Sequence, residues 1–393
     1  MKRHKTKITF VCIAALILLS VLYGCGDGDA SATVKEIRSM MKLQKPLQAE
    51  SVSEGKYAYE TLDEDTKLVY DEIVYAIQNR NEKVRIATND VNVMEKAYLA
   101  VRYDYCNFFW LEKFSYVTYN RGDNIRAIDI TPVFSMTQEE QAAVQEQIDA
   151  EADKMMRDFP AEGTDYEKAL YIYEKLISDV DYVEESADNQ NIISVFINHE
   201  TICQGYAYAT QYLFEKAGIP CTTVVGTAQG ENHAWNLVQL DGEYYYMDTT
   251  WGNSQYIYRG ADDSSEMQGA GQKYIDYDYF AATTAAIMET HQPDERIALP
   301  QCTATENDYY IHEGKYFDEW DPKAVGKLIK KEYESGEQQV RIKFSDMELY
   351  EQALQYFVEE YHLADYCDGI ESVRYMENAD NCVLFLQFPG NEG

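Results

Sequence analysis

Residues 201–252 read TICQGYAYATQYLFEKAGIPCTTVVGTAQGENHAWNLVQLDGEYYYMDTTWG, and the periodicities within them decide the fold of the centre of the chain. After Cys203, the residues Tyr206, Ala207, Thr210, Leu213, Phe214 and Ala217 recur at helical spacing, and Gly218 followed by Pro220 closes the helix. Cys221 to Val225 reads as a strand. Asp241-Gly242 then sits between two alternating runs, the sequence signal of a two-residue hairpin. With Leu240 and Glu243 flanking that turn, His233 falls opposite Thr250 and Trp235 opposite Asp248. His233 and Asp248 become diagonal neighbours on one face, roughly 7–8 Å apart at the backbone and within bridging reach of imidazole and carboxylate. The expected class is α+β, a helix packed on an antiparallel sheet.

The same register brings chemistry together. Cys203 stands at a helix N-terminus, where unpaired amides and the positive end of the dipole favour a thiolate and face a developing oxyanion. Cys203-Gln204-Gly205-Tyr206-Ala207, Asn232-His233-Ala234-Trp235-Asn236 and Met247-Asp248-Thr249-Thr250-Trp251 resemble the Cys, His and Asp blocks of the transglutaminase-like superfamily, in the family's order. The resemblance covers roughly residues 165 to 290 and implies a papain-like core. It implies Cys203 as nucleophile, His233 as the group that takes and returns a proton, and Asp248 as the carboxylate that fixes the imidazole. Trp235, Asn236 and Trp251 are expected to pack and orient rather than to react. A thioester intermediate follows, released by an amine or by water, so transamidation and peptide or isopeptide hydrolysis both stay open. Such a mechanism needs no organic cofactor and no metal. One departure stands out: transglutaminases proper use a tryptophan upstream of the histidine block in the oxyanion hole, and no Trp occurs between Trp110 and Trp235. The second oxyanion donor is unassigned, which favours the broader protease-like group. A non-catalytic surface binding module on the same scaffold is the competing reading.

Working outward, residues 161–290 are expected to form the core, with α+β domains over 56–160 and 291–393. Helices are predicted from about Asp63 to Asn79 and Val91 to Tyr103, with strands near Lys83 to Thr88, Asn107 to Trp110, Phe114 to Tyr119 and Ile125 to Val133. Thr137 with Glu140, Thr164 with Glu167 and Ser345 with Glu348 match capping boxes, and Asp321-Pro322 matches a cap with a first-turn proline. The helix after Thr164 carries Ala169, Leu170, Ile172, Tyr173 and Leu176 as its core face. Val340 to Phe344, Val373 to Met376 and Cys382 to Phe388 supply strands at the C-terminal end.

At the other end, Lys2, Arg3, Lys5 and Lys7 precede an apolar run from Ile8 to Tyr23, as in a secretory signal peptide over residues 1–24. Leu22-Tyr23-Gly24-Cys25 resembles a lipobox, with Cys25 the lipid attachment, and the chain as a whole resembles a secreted, clostridial-type lipoprotein. An uncleaved anchor helix is the alternative, and either way the expected location is the outer face of a cell membrane. Residues 25–55 read as a polar tether. With 34 Lys and Arg against 68 Asp and Glu, phosphate backbones would be repelled and nucleic acid is not an expected partner. The expected substrate is an extracellular protein or a cell-wall peptide; oligomeric state is not encoded in any pattern seen. The remaining cysteines show no CxxC and no disulfide framework, Cys367 with Cys382 being the one pairing left open.

Overall fold

Asp and Thr side chains cap most of the described helices. The computed structural model describes residues 45–47, 49, 53–253, 275–337, 339–370, 372–378 and 381–388. The expected leader, Cys25 and most of the tether lie outside this range. The described residues divide into two compact units, one running up to residue 150 and including 294–298, the other taking in those from 151 to 293 and from 299 onward.

The first unit holds α1 (Tyr57–Glu60), α2 (Glu64–Gln78), β1 (Val84–Arg85), α3 (Val91–Asp104), β2 (Leu111–Arg121) and β3 (Asn124–Phe134), and the division falls within α4 (Gln138–Met155). Asp63 caps α2 by accepting from the Thr66 amide, and Asp90 caps α3 from Asn92. The helical stripe Val69, Tyr70, Ile73, Val74 and Ile77 is fully buried, as its spacing requires. The strands form an antiparallel sheet in the order β1-β3-β2. Residues 107–110, expected as a strand, form turns instead. Phe109 and Trp110 are buried there and pack edge to face at 5.2 Å, so their apolar character serves the core and not a ladder. Thr137 and Glu140 exchange the two bonds of a capping box at the start of α4.

The second unit begins with α5 (Asp165–Asp179), opened by the full capping box of Thr164 and Glu167. Ala169, Ile172, Tyr173 and Leu176 face its core together with Tyr166 and Ile177; Leu170 flanks that face half-buried. Then come β4 (Asp181–Tyr182), a π-turn over Ser194–Asn198, β5 (Glu200–Thr201) parallel to β4, and α6 (Cys203–Ala217). Gly218 ends α6 at φ 76°, the left-handed cap that the sequence called for. The sheet beside it, built from β6 (Cys221–Ala228), β7 (Glu231–Leu240), β8 (Glu243–Met247) and, after α7 (Thr284–Ile287), β9 (His291–Pro293), is ordered β8-β7-β6-β9. Leu240 pairs with Glu243 and Asn236 with Met247, the register that the Asp241-Gly242 turn dictates.

After α8 (Tyr309–His312) the chain adds β10 (Tyr316–Phe317), α9 (Pro322–Glu334), β11 (Gln339–Phe344), α10 (Met347–Leu354), β12 (Arg374–Asn378) and β13 (Val383–Gln387), with sheet order β10-β11-β13-β12. Val325, Ile329, Ile342, Phe357, Leu384 and Leu386 build its apolar core. Asp321 caps α9 with Pro322 in the first turn. The expected cap of α10 moves by one residue: Asp346, not Ser345, accepts from the Leu349 amide, a carboxylate being the stronger acceptor. No disulfide joins Cys367 to Cys382, so the pairing left open by their spacing is not made. Among the described residues no helix is long and apolar enough to cross a membrane.

Candidate functional site

Cys203 is the first residue of α6, and Ile202 before it offers no capping side chain. The first-turn amides are therefore not claimed by a side-chain cap, and they point where an anion at Cys203 would form. Close packing sets this end of the helix. A Cβ on Gly205 would collide with the Thr201 hydroxyl, which bonds Ser194 at 2.6 Å and the Asn189 carbonyl at 3.0 Å. Three polar ties then fix the helix on the sheet. Asn236 Nδ2 donates to the Ala207 carbonyl at 2.9 Å, Gln211 Oε1 accepts from the Thr223 amide and hydroxyl, and the Thr210 and Thr249 hydroxyls meet at 3.0 Å. Apolar packing alone is non-directional and would let the helix turn or slide; buried hydrogen bonds hold one setting.

That setting brings Cys203 into hydrogen-bond contact with the His233 side chain. His233 Nε2 lies 2.6 Å from Asp248 Oδ2, so Nδ1 is the ring nitrogen left for Cys203. Asp248 is the residue after β8, and its Oδ1 accepts from the amides of Thr250 at 2.8 Å and Trp251 at 3.1 Å. The three predicted residues thus come together on α6, β7 and the end of β8. Trp235 stacks on His233 with ring centroids 5.9 Å apart, and Trp251 stands across it at 6.1 Å. Asn236 ties helix to sheet, as above. The His233 and Asp248 side chains are 3% and 1% exposed, while Cys203 is half-buried. Base and carboxylate are buried, whereas Cys203 keeps partial exposure.

Sequence reasoning missed His291, which it placed at the opening of the C-terminal region. His291 Nε2 lies 3.0 Å from the same Asp248 Oδ2, and its Nδ1 lies 2.7 Å from the Thr290 hydroxyl. It arrives on β9, a three-residue strand paired with β6. No periodicity marks so short a segment, and the one available signal was the histidine itself. Trp235, Trp251 and Tyr279 surround its ring at 5.0, 4.9 and 5.9 Å.

The electrostatics follow from this burial. Desolvation would lower the pKa of His233, but the charge and hydrogen bond of Asp248, and then Cys203, raise it to about 10. For Asp248, burial pushes upward, yet the charge and hydrogen bond of His233, followed by those of His291, hold it well below the ordinary carboxylate range. Both directions favour an imidazolium–carboxylate pair. The donor atoms of His233, Asp248 and His291 all lie within 4.8 Å of one another, a spacing that a metal ion can bridge. A metal there would have to replace both imidazole protons on Oδ2, and hydrogen bonds of 2.6 and 3.0 Å account for the cluster as it stands.

Residues 154–249 match the family model of the transglutaminase-like superfamily. Kyphoscoliosis peptidase of Mus musculus is 24% identical over 176 residues, 39% of this chain and 25% of that protein. The Homo sapiens protein of the same name is 26% identical over 188 residues, 42% of this chain and 27% of that one. The chain thus spans about a quarter of the length of these curated relatives. Among solved structures, a TGase overlays with a TM-score of 0.25 at 15% identity, covering 35% of this chain and 50% of that one. The periplasmic domain of TgpA from Pseudomonas aeruginosa gives 0.22 at 14% identity, covering 35% and 56%.

Proposed function

Taking residues 154–249 as a domain of the transglutaminase-like superfamily, we propose that the chain is a cysteine enzyme of acyl transfer or amide hydrolysis, with Cys203, His233 and Asp248 as its catalytic residues. The observation that carries this reading is the alignment of a half-buried cysteine at a helix start, an imidazole on which it acts through a hydrogen bond and charge, and a buried carboxylate 2.6 Å from that imidazole's Nε2. In the first half-reaction Cys203 Sγ attacks an amide carbonyl while the imidazole holds the thiol proton. The Cys203 amide faces the oxyanion, the C–N bond breaks, and His233 passes the proton to the leaving amine. The product is a thioester on Cys203. In the second half-reaction His233 takes a proton from the incoming amine or water, which attacks the thioester carbonyl, and returns it to the thiolate that leaves.

The substrate class belongs to the same proposal: an extracellular protein or a cell-wall peptide, met by a chain exported through its leader and held by lipid on Cys25. What supports this is the residue pattern of the leader, from the cationic start to Leu22-Tyr23-Gly24-Cys25. Intact-mass measurement of the full chain, incubated with glutamine-containing and cell-wall-derived peptides, tests the chemistry. The expected result is a mass adduct on Cys203 that is absent from Cys203→Ala. Release faster by amine than by water marks a transamidase, and release by water a hydrolase. No adduct on a cooperatively folded protein would overturn the enzymatic reading in favour of a binding module.

A further inference from the structure

We propose that His291 is a positioning residue for Asp248, making the site a Cys–His–Asp–His relay in which one carboxylate oxygen serves two imidazoles. The proposal rests on the catalytic reading above. It concerns a residue beyond the matched segment, carried on a different strand from His233.

Oδ1 of Asp248 is held by two main-chain amides in the turn that follows it, and Oδ2 by His233 and His291. Catalysis loads these bonds unequally. While His233 is an imidazolium, its bond to Asp248 is charge-assisted; once His233 gives its proton to the leaving amine, the ring is neutral and the bond weakens. A carboxylate whose second oxygen depended on His233 alone would then be held only by the two amides on Oδ1. His291 is not in contact with the departing proton, so its hydrogen bond outlasts that step. It keeps Oδ2 in place both for the resting His233 ring beside Cys203, which alkylation reads, and for the ring that must return in the second half-reaction. Thr290 suits this task, because its hydroxyl on Nδ1 leaves Nε2 to carry the proton that faces Asp248.

The architecture around His291 points the same way. β9 borders β6, and Gly226 of β6 pairs with His233 on one side and with Pro293 on the other. A Cβ on Gly226 would run into the Gln292 carbonyl, so the bare backbone at this position is what lets β9 close in. The His291 side chain is wholly buried, with both nitrogens partnered and with Trp235 and Trp251 against the ring. Its place is fixed by packing before substrate arrives, as preorganisation requires.

The test is the rate of iodoacetamide alkylation at Cys203 in the full chain, read by peptide mapping so that other cysteines do not count, alongside thermal unfolding. His291→Phe keeps the ring volume without an N–H, His291→Gln keeps an N–H donor, and His233→Ala is the reference. Expected are a slowing of about tenfold or more in His291→Phe, part of the roughly 10²–10⁴ that a positioned acid–base group supplies, and recovery to within about threefold in His291→Gln. A cooperatively folded His291→Phe that labels at the wild-type rate overturns the proposal, as does a Gln variant as slow as Phe. If His233→Ala itself labels like wild type, the catalytic reading falls; if His233→Ala is slow and His291→Phe is not, only the role of His291 falls. Should His291→Phe fail to fold, the proton spectrum of the wild-type chain decides. Two downfield imidazole N–H signals that both move in Asp248→Asn support a shared oxygen, and a single responding signal overturns it.

Discussion

At the scale of single residues, the His233–Asp248 pair sets the pH behaviour. The folded pKa of His233 is raised to about 10 from an ordinary 6.5, so the stabilisation it brings is fully present below about 6.5 and is lost as pH climbs through about 10. Asp248 behaves oppositely: its carboxyl is depressed below the ordinary 3.8, and its contribution is present above that value and lost in strong acid. The melting temperature of wild type should therefore exceed that of His233→Gln by a wide margin at pH 6, and the margin should shrink steadily toward pH 10.5. A margin that stays constant across that range would show that His233 is neutral in the folded protein. Asp248→Asn bears on the chemistry itself. The amide cannot accept two imidazole N–H groups on its oxygen while holding the turn amides, and the imidazolium loses its counter-charge. Iodoacetamide labelling of Cys203 should slow on the order of 10²–10⁴-fold, and a loss of less than about threefold would mean that the carboxylate orients nothing.

At the scale of elements, the site depends on how closely a helix and two strands approach one another, and two glycines test this separately. Gly205→Ala sets a methyl group against the Thr201 hydroxyl at the start of α6, and Gly226→Ala sets one against the β9 backbone at Gln292 and Pro293. Each should cost about 1–3 kcal/mol of stability, the usual penalty for overpacking. Labelling should separate them by route: Gly226→Ala moves β9 and should resemble His291→Phe, whereas Gly205→Ala moves Cys203 and should resemble loss of His233. Equal labelling of Gly226→Ala and wild type, measured with calorimetry, would show that β9 does not govern Asp248. These elements also mark where reading the sequence succeeds and where it stops. The register of β7 and β8 was legible because a two-residue turn and a period-2 pattern fix each other over a few residues. The setting of Cys203 was legible from the glycine and proline that end α6. The role of His291 was not, because the pairing of β9 with β6 joins segments some sixty residues apart and leaves no local pattern. Residues 107–110 misled for a related reason: aromatic residues buried in a turn carry the same composition as a strand.

At the scale of the whole molecule, charge is the dominant asymmetry. The chain carries 34 Lys and Arg against 68 Asp and Glu, a formal net charge of −34. Two opposed effects of salt follow, and their magnitudes decide the sign. Exposed ion pairs such as Lys330–Glu334 and Lys154–Glu151 weaken with salt, but each is worth only about 0.2–1 kcal/mol. Buried pairs such as Arg85–Asp129, at 2.7 Å, are screened much less. Against these stands the mutual repulsion of the unpaired acids, which opposes the compact state and acts across the whole surface when the screening length is about 30 Å, at 10 mM salt, but only locally at about 8 Å, at 150 mM. Repulsion should win. Raising sodium chloride from 10 to 150 mM is expected to raise the melting temperature by about 1–2 °C, the shift that roughly 1 kcal/mol produces in a chain of this size. A fall over the same range would mean that attractive pairs outweigh the excess of acid. The response of labelling at Cys203 should be slight, because His233, Asp248 and His291 sit in a dry interior where their interactions are set by contact distances and not by the ionic atmosphere.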